Sequence, residues 1–221
     1  MLDWNAIDTV LLDMDGTLLD LACDNFFWQQ HVPQHYAREH AISEEESHAR
    51  LTQAFNSNIG SLDWYSLEYW SEQLQLDLAT IKREVRHMVE ARPFAIEFLT
   101  WLHNSERDVV LVTNAHRLTL DIKMDHIDIT GWFDRVVVSH ELDAAKEQQA
   151  FWERLQVLHP FDPERTLLID DTERVLESAQ NYGIKHLLTV LRPDSRQAKR
   201  LDSRFPGMHH FDEIMPGKYP A

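Results

Sequence analysis

Five short runs along the chain are apolar at almost every position: TVLLDMD (9–15), DVVLVTN (108–114), RVVVSH (135–140), RTLLIDD (165–171) and HLLTV (186–190). Continuous runs this short, rich in Val, Leu and Ile, suit strands buried on both faces of a parallel sheet. The segments between the later runs carry apolar residues at helical spacing. Leu118 and Ile122 belong to one, with Asp125–His126 at its end. Phe151, Leu155 and Leu158 belong to a second, expected from Lys146 to His159. Val175, Leu176 and Ala179 belong to a third, ending at the stop signal Asn181–Tyr182–Gly183. Strands alternating with helices predict an α/β fold, a Rossmann-like parallel sheet flanked by helices.

One connection breaks the alternation. From about Asp20 to Arg92 the pattern never returns to a strand. It reads as helices over DNFFWQQHV, SEEESHARLTQAF, DWYSLEYWSEQLQ and LATIKREVRHMVE, with Ser43 and Glu46 placed for a capping box. Pro93 is expected to open the next helix, PFAIEFLTWLHN. A crossover needs far fewer residues. The division expected is a core of 1–19 and 92–221, with a small helical cap domain at 20–91 inserted after strand one. The tail beyond Pro193 is polar, except for FDEIM (211–215), which is expected to dock on the core.

Composition narrows the function. Across 221 residues the formal net charge is −16, which argues against nucleic-acid or anionic-membrane partners, since both need a positive surface. The single cysteine, Cys23, excludes an internal disulfide framework. No stretch approaches a membrane span. MLDWNAIDTV carries acid where a secretory signal would carry Lys or Arg, so a cytoplasmic protein is expected. There are 13 histidines, but no HExxH pair and no CxxC to join them.

The chemistry collects where a parallel sheet binds ligands, at the carboxyl ends of its strands. Strand one ends in Asp13 and Asp15, strand two in Thr113 and Asn114, and strand four in Asp170 and Asp171. Lys146 follows strand three. Clustered carboxylates repel one another, and Mg²⁺ relieves this with oxygen ligands. Asp13 and Asp15 start on one side of the strand and can diverge in the turn at Gly16. One can then attack while the other handles a proton. Thr113 and Asn114 can hold phosphate oxygens, and Lys146 supplies a cation that the net charge lacks. Simpler readings stand beside these. Thr113–Asn114 and Asp170–Asp171 can be helix caps, and Lys146 can be a solvated lysine.

DMDGTL, LVTNA, Lys146 and LLIDD, in that order, resemble the four motifs of the haloacid dehalogenase (HAD) superfamily of phosphohydrolases. The resemblance covers Thr9–Asp20 and Pro93–Val190, and the insert falls where that family places its cap. It implies an aspartyl-phosphate mechanism. Asp13 is then the nucleophile and Asp15 the general acid and base. Mg²⁺ is held by the carboxylates of Asp13, Asp170 and Asp171 with the Asp15 backbone carbonyl. Thr113 and Lys146 bind the phosphoryl group. An acid at position 15 sets the chain apart from the dehalogenase branch. Lys146 sits in DAAKEQQ, without the Gly-x-Pro loop usual in the family.

DTVLLDMDGTLLDLACDNFFWQQHVP, LDWYSLEYWSEQLQLD and LVTNAH resemble the purine 5′-nucleotidases of that superfamily. This implies a small phosphate ester as partner, a purine nucleotide such as GMP or IMP. Trp64 and Tyr65 are the candidate base contacts among the insert's aromatics, which are otherwise core residues. His116 is a candidate substrate contact or a helix-start surface residue. Two readings stay open beside this one: a sugar-phosphate or phosphoglycolate phosphatase, and a nucleotide-binding regulatory module without turnover. The oligomeric state is not legible.

Overall fold

The computed structural model describes residues 2–216. Its sheet is six-stranded and parallel throughout, in the order β3-β2-β1-β4-β5-β6. The strands are β1 (Thr9–Leu12), β2 (Asp108–Thr113), β3 (Arg135–Val138), β4 (Thr166–Asp170), β5 (His186–Val190) and β6 (Gly207–Met208). β1 is central, pairing Leu11 with Val110 on one side and Leu168 on the other.

Alternation along these strands feeds two apolar layers. Val10, Leu12, Val109, Leu111, Leu167 and Ile169 face one layer. Leu11, Val110, Val112 and Leu168 face the other. The first layer is covered by α6 (Ala95–His103) and α7 (Arg117–Met124), through Phe98, Leu102, Leu120 and Ile122. The second is covered by α8 (Gln149–Leu158) and α9 (Glu173–Tyr182), through Phe151, Trp152, Leu155, Val175 and Leu176. The apolar runs are therefore strands with helices on both faces, the Rossmann-like arrangement expected.

Between β1 and α6 the described chain is helical: α1 (Ala22–Phe26), α2 (Val32–Glu39), α3 (Glu44–Ser57), α4 (Leu67–Leu74) and α5 (Leu78–Glu84). A π-helical turn, Phe27–His31, joins α1 to α2. Pro33 explains it: proline lacks an N–H and its ring crowds the carbonyl four residues back, so a wider turn relieves both. Ser43 caps α3 by accepting from the Glu46 amide, but Glu46 turns its carboxylate to Arg50, so only half of the capping box forms. The apolar residues of the insert, among them Leu51, Leu67, Trp70, Leu78 and Ile81, run on into the first layer through Phe27, Cys23 and Leu19. The entering and leaving strands of chain lie side by side, with Asp20 N–H donating to Glu90 O at 2.9 Å and Arg92 N–H to Leu18 O at 2.9 Å.

Three local expectations shift. α6 starts at Ala95 rather than Pro93, because Phe94 holds a left-handed φ of 63° and helical geometry begins after it. α8 starts at Gln149 rather than Lys146, because the Lys146 amide is taken by Asn114 Oδ1 at 3.0 Å and the chain turns there. The polar tail adds β6, too short for its pattern to show. Phe211 of FDEIM is buried and stacks on Phe98 with ring centroids 4.7 Å apart.

Candidate active site

β1 delivers Asp13 to the carboxyl edge of the sheet, and the chain then turns tightly. Leu18 and Leu19 both donate to Met14 O, at 2.9 and 2.8 Å. Gly16 adopts φ +82°, and a Cβ there would lie 2.7 Å from Asp171 Cγ. The turn therefore needs glycine both for its backbone and for the room it leaves Asp171.

The turn separates the two acids. Asp13 meets Lys146, whose Nζ donates to Asp13 at 2.6 Å, to Asp170 at 2.7 Å and to the Val112 carbonyl at 3.2 Å. Asp15 points to a different lysine, Lys123 of α7, at 2.5 Å. Lys123 also donates to Asp24 of α1 at 2.7 Å, and Asp24 accepts from Lys82 of α5 at 2.6 Å. Lys82 in turn lies 4.2 Å over the Phe27 ring. Lys82, Lys123 and Lys146 are all almost fully buried.

Burial and repulsion set the electrostatics. Burial pushes Asp13 up to about 7 against the pull of Lys146, with Asp170 adding to the rise. Burial likewise raises Asp170 to about 6 and Asp171 to about 7, the latter helped by Asp13 and opposed by Arg200. Asp15 is raised by burial, partly offset by Lys123. Asp24 goes the other way: burial is overcome by Lys123 and Lys82, which hold it well below the usual carboxylate range. Burial alone would discharge Lys146, but Asp13 and Asp170 keep it charged, its pKa above the ordinary lysine value.

Asp13, Asp170 and Asp171 each bring a carboxylate oxygen within 4.8 Å of the others, all buried. Three hard oxygen donors fit Mg²⁺ better than a softer metal. The Asp15 carboxylate stands outside this trio, on Lys123.

Thr113 ends β2 and Asn114 follows it, but neither caps α7, whose N-cap is His116. Thr113 Oγ1 accepts from the Ala115 amide at 3.0 Å. Asn114 donates to Glu147 at 2.9 Å, and Tyr65 of the insert donates its hydroxyl to the other oxygen of Glu147 at 2.6 Å. His116 reaches Glu68 of α4 at 2.9 Å rather than the cavity lining. Beside it His140 bonds the Leu62 carbonyl at 3.0 Å. Core and insert thus meet through Lys123–Asp24, Glu147–Tyr65, His116–Glu68 and His140–Leu62.

Between them lies a cavity of about 580 Å³. Asp13, Asp15, Thr113, Asn114, Lys146, Asp170 and Asp171 all line it. So do Trp28, Phe55, Trp64, Tyr65 and Trp70 of the insert. The sequence reading missed Lys123, Lys82, Asp24 and Glu147. The two lysines left a trace: Lys82 occupies the third place of the apolar stripe Leu78, Ile81, Lys82, Val85, and Lys123 follows Leu120 and Ile122 on the buried face of α7.

Residues 10–189 match the family model of the haloacid dehalogenase-like hydrolases. The GMP/IMP nucleotidase YrfG of Escherichia coli is 37% identical over 213 residues, 96% of either chain. The HAD phosphatase of Thermococcus onnurineus superposes with a TM-score of 0.75 at 19% identity, covering 94% of this chain and 96% of that one. The putative HAD-hydrolase YfnB of Bacillus subtilis, crystallised with magnesium, gives 0.63 at 17%, covering 94% and 96%. The family match spans the central strands and their carboxylate-bearing ends together with the insert, and so the chain belongs to the haloacid dehalogenase-like hydrolases.

Proposed function

We propose that this phosphoric monoester hydrolase removes the 5′-phosphate from purine nucleoside monophosphates, with GMP and IMP as first-choice substrates. The observation that carries the reading is that one cavity joins a buried carboxylate and lysine cluster to a set of insert aromatics, Trp28, Phe55, Trp64, Tyr65 and Trp70. The cluster suits a phosphoryl group and the ring faces suit a flat base. The end-to-end similarity to a GMP/IMP nucleotidase points the same way.

In this reading Asp13 attacks phosphorus and carries the aspartyl-phosphate. Asp15, held by Lys123, gives a proton to the leaving 5′-oxygen and then takes one from the hydrolytic water. Burial raises its pKa above the ordinary carboxylate value, the direction a proton donor needs. Thr113, Asn114 and Lys146 bind the phosphoryl oxygens. Asp13, Asp170, Asp171 and the Asp15 carbonyl would hold Mg²⁺. Bound there, it would offset the mutual repulsion of the carboxylates and the charge of the transferring group. The insert, 20–91, acts as a cap over the strand ends, with Trp64 and Tyr65 as base contacts and residues 1–19 and 92–221 as the core it covers. His116 contributes by holding the cap residue Glu68.

Phosphate release from a panel of nucleoside monophosphates and sugar phosphates with Mg²⁺ tests this. Highest kcat/KM on GMP and IMP supports the substrate. A sugar phosphate or phosphoglycolate at the top would keep the chemistry and discard the base-binding role of the aromatics. Binding without any release would leave a regulatory module.

A further inference from the structure

Away from the carboxylate cluster, the insert brings together three metal-ligating side chains. His31, the last residue of the π turn, and His35 of α2 lie one turn apart, and Glu84 is the last residue of α5. Both imidazole Nε2 atoms face the same carboxylate oxygen, at 2.8 Å for His31 and 3.2 Å for His35. All three ligand atoms lie within 4.8 Å of one another. Four-coordinate zinc, with bonds of about 2.0–2.1 Å, sets neighbouring ligand atoms about 3.3 Å apart. The two histidine–glutamate spacings need to open only by tenths of an ångström to accept it.

The surroundings favour a cation. A carboxylate at a helix C-terminus meets the negative end of the dipole, so Glu84 is poorly placed without a positive partner. The His31 ring is stacked on Phe26 at 5.8 Å and packs edge-on against His35 at 4.7 Å, which fixes the directions of both nitrogens. The histidine side chains are 17% and 24% exposed and Glu84 is 46% exposed, which leaves a water-accessible fourth position. Two imidazoles and one carboxylate with an open place are a donor set for a borderline metal, not for Mg²⁺.

We propose that His31, His35 and Glu84 form a zinc-class binding site in the helical insert, separate from the catalytic carboxylates. Occupancy ties the α1–α2 helix to the end of α5 and stiffens the insert. Co²⁺ is the probe, because four-coordinate Co²⁺ absorbs strongly in the visible and Co²⁺ among carboxylates and water does not. Metal-stripped full-length protein is titrated with Co²⁺ in excess Mg²⁺, beside His35→Ala and Glu84→Gln. The wild type is expected to gain the four-coordinate band, saturating at one equivalent and bleached by Zn²⁺. Both variants should lose it while retaining folded circular dichroism and Mg²⁺-supported hydrolysis. Zn²⁺ should raise the Tm of the wild type alone. No band in the wild type, or a band unchanged in both variants, overturns the proposal.

Discussion

The two aspartates of the first turn are separated by a single residue and live in opposite surroundings. Asp13 belongs wholly to the core. Its neighbours are Lys146 and the carboxylates of Asp170 and Asp171 at the end of β4, and repulsion there is held in check by the buried Lys146. Asp15 belongs to both parts of the molecule, because Lys123 joins it to Asp24 and Lys82 of the insert. The first region carries an excess of negative charge and fits a metal. The second is balanced by its own lysines. One turn thus feeds two clusters: an anionic one around Lys146, and a charge-balanced one that ties β1 to the insert.

The largest effect that breaks the comparison is at Asp13. In the proposed mechanism Asp13→Asn removes the attacking oxygen, and kcat for phosphate release should fall by about 10⁴-fold or more. In the same mechanism Asp15→Asn removes proton transfer and weakens the hold on Lys123 but leaves the nucleophile, so the fall should be about 10²–10⁴-fold. Equal losses for the two in a steady-state assay would erase the division of labour.

Stability separates the regions next. Asp24→Ala leaves Lys82 and Lys123 buried without their shared carboxylate, and should cost about 3–5 kcal/mol in denaturant unfolding. Acid should expose the same difference. Asp13 and Asp171 titrate near 7 in the fold against an ordinary value of 3.8, so the folded state holds more protons between those values. Metal-free protein should therefore lose stability as pH rises from about 4 to about 7, and Mg²⁺ should restore it at the upper end. Asp24, depressed in the fold, contributes the opposite slope, confined to pH below about 4. A Tm that rises through pH 5–7 without Mg²⁺ would refute the repulsive cluster.

The smallest effect is at the seam. Tyr65→Phe deletes one hydrogen bond to Glu147. At about 1 kcal/mol this should raise KM roughly five-fold with little change in kcat. A drop in kcat alone would move Tyr65 from closing the cavity to the chemistry.

Legibility in the sequence follows the same division. The core was readable because a strand buried on both faces leaves a run no other element needs, and because Asp13, Asp15, Thr113, Asn114, Asp170 and Asp171 sit where such runs stop. Lys123 and Lys82 were not, because a lysine inside an amphipathic helix looks alike whether it snorkels to water or crosses the core to an acid. Only the long-range contact decides. Glu147 had no signal at all: its role comes from Asn114 and Tyr65, which are distant in sequence and joined only by the fold. Phe94 and the turn at Lys146 displaced helix starts for the same reason, since tertiary partners overrode local preference.

The central place of β1 has a kinetic consequence. Thr9 pairs with Asp108 on one side and Thr166 on the other, so β1, the first of the described strands, gains its second neighbour only with β4. During synthesis TVLLD waits, apolar and edge-exposed, while the helical insert emerges before either neighbour exists. Closing loops of that length is slow, and the nascent chain should need protection from aggregation until β4 has left the ribosome. Truncations ending before β4 should accumulate on chaperones, while longer ones that include it are released.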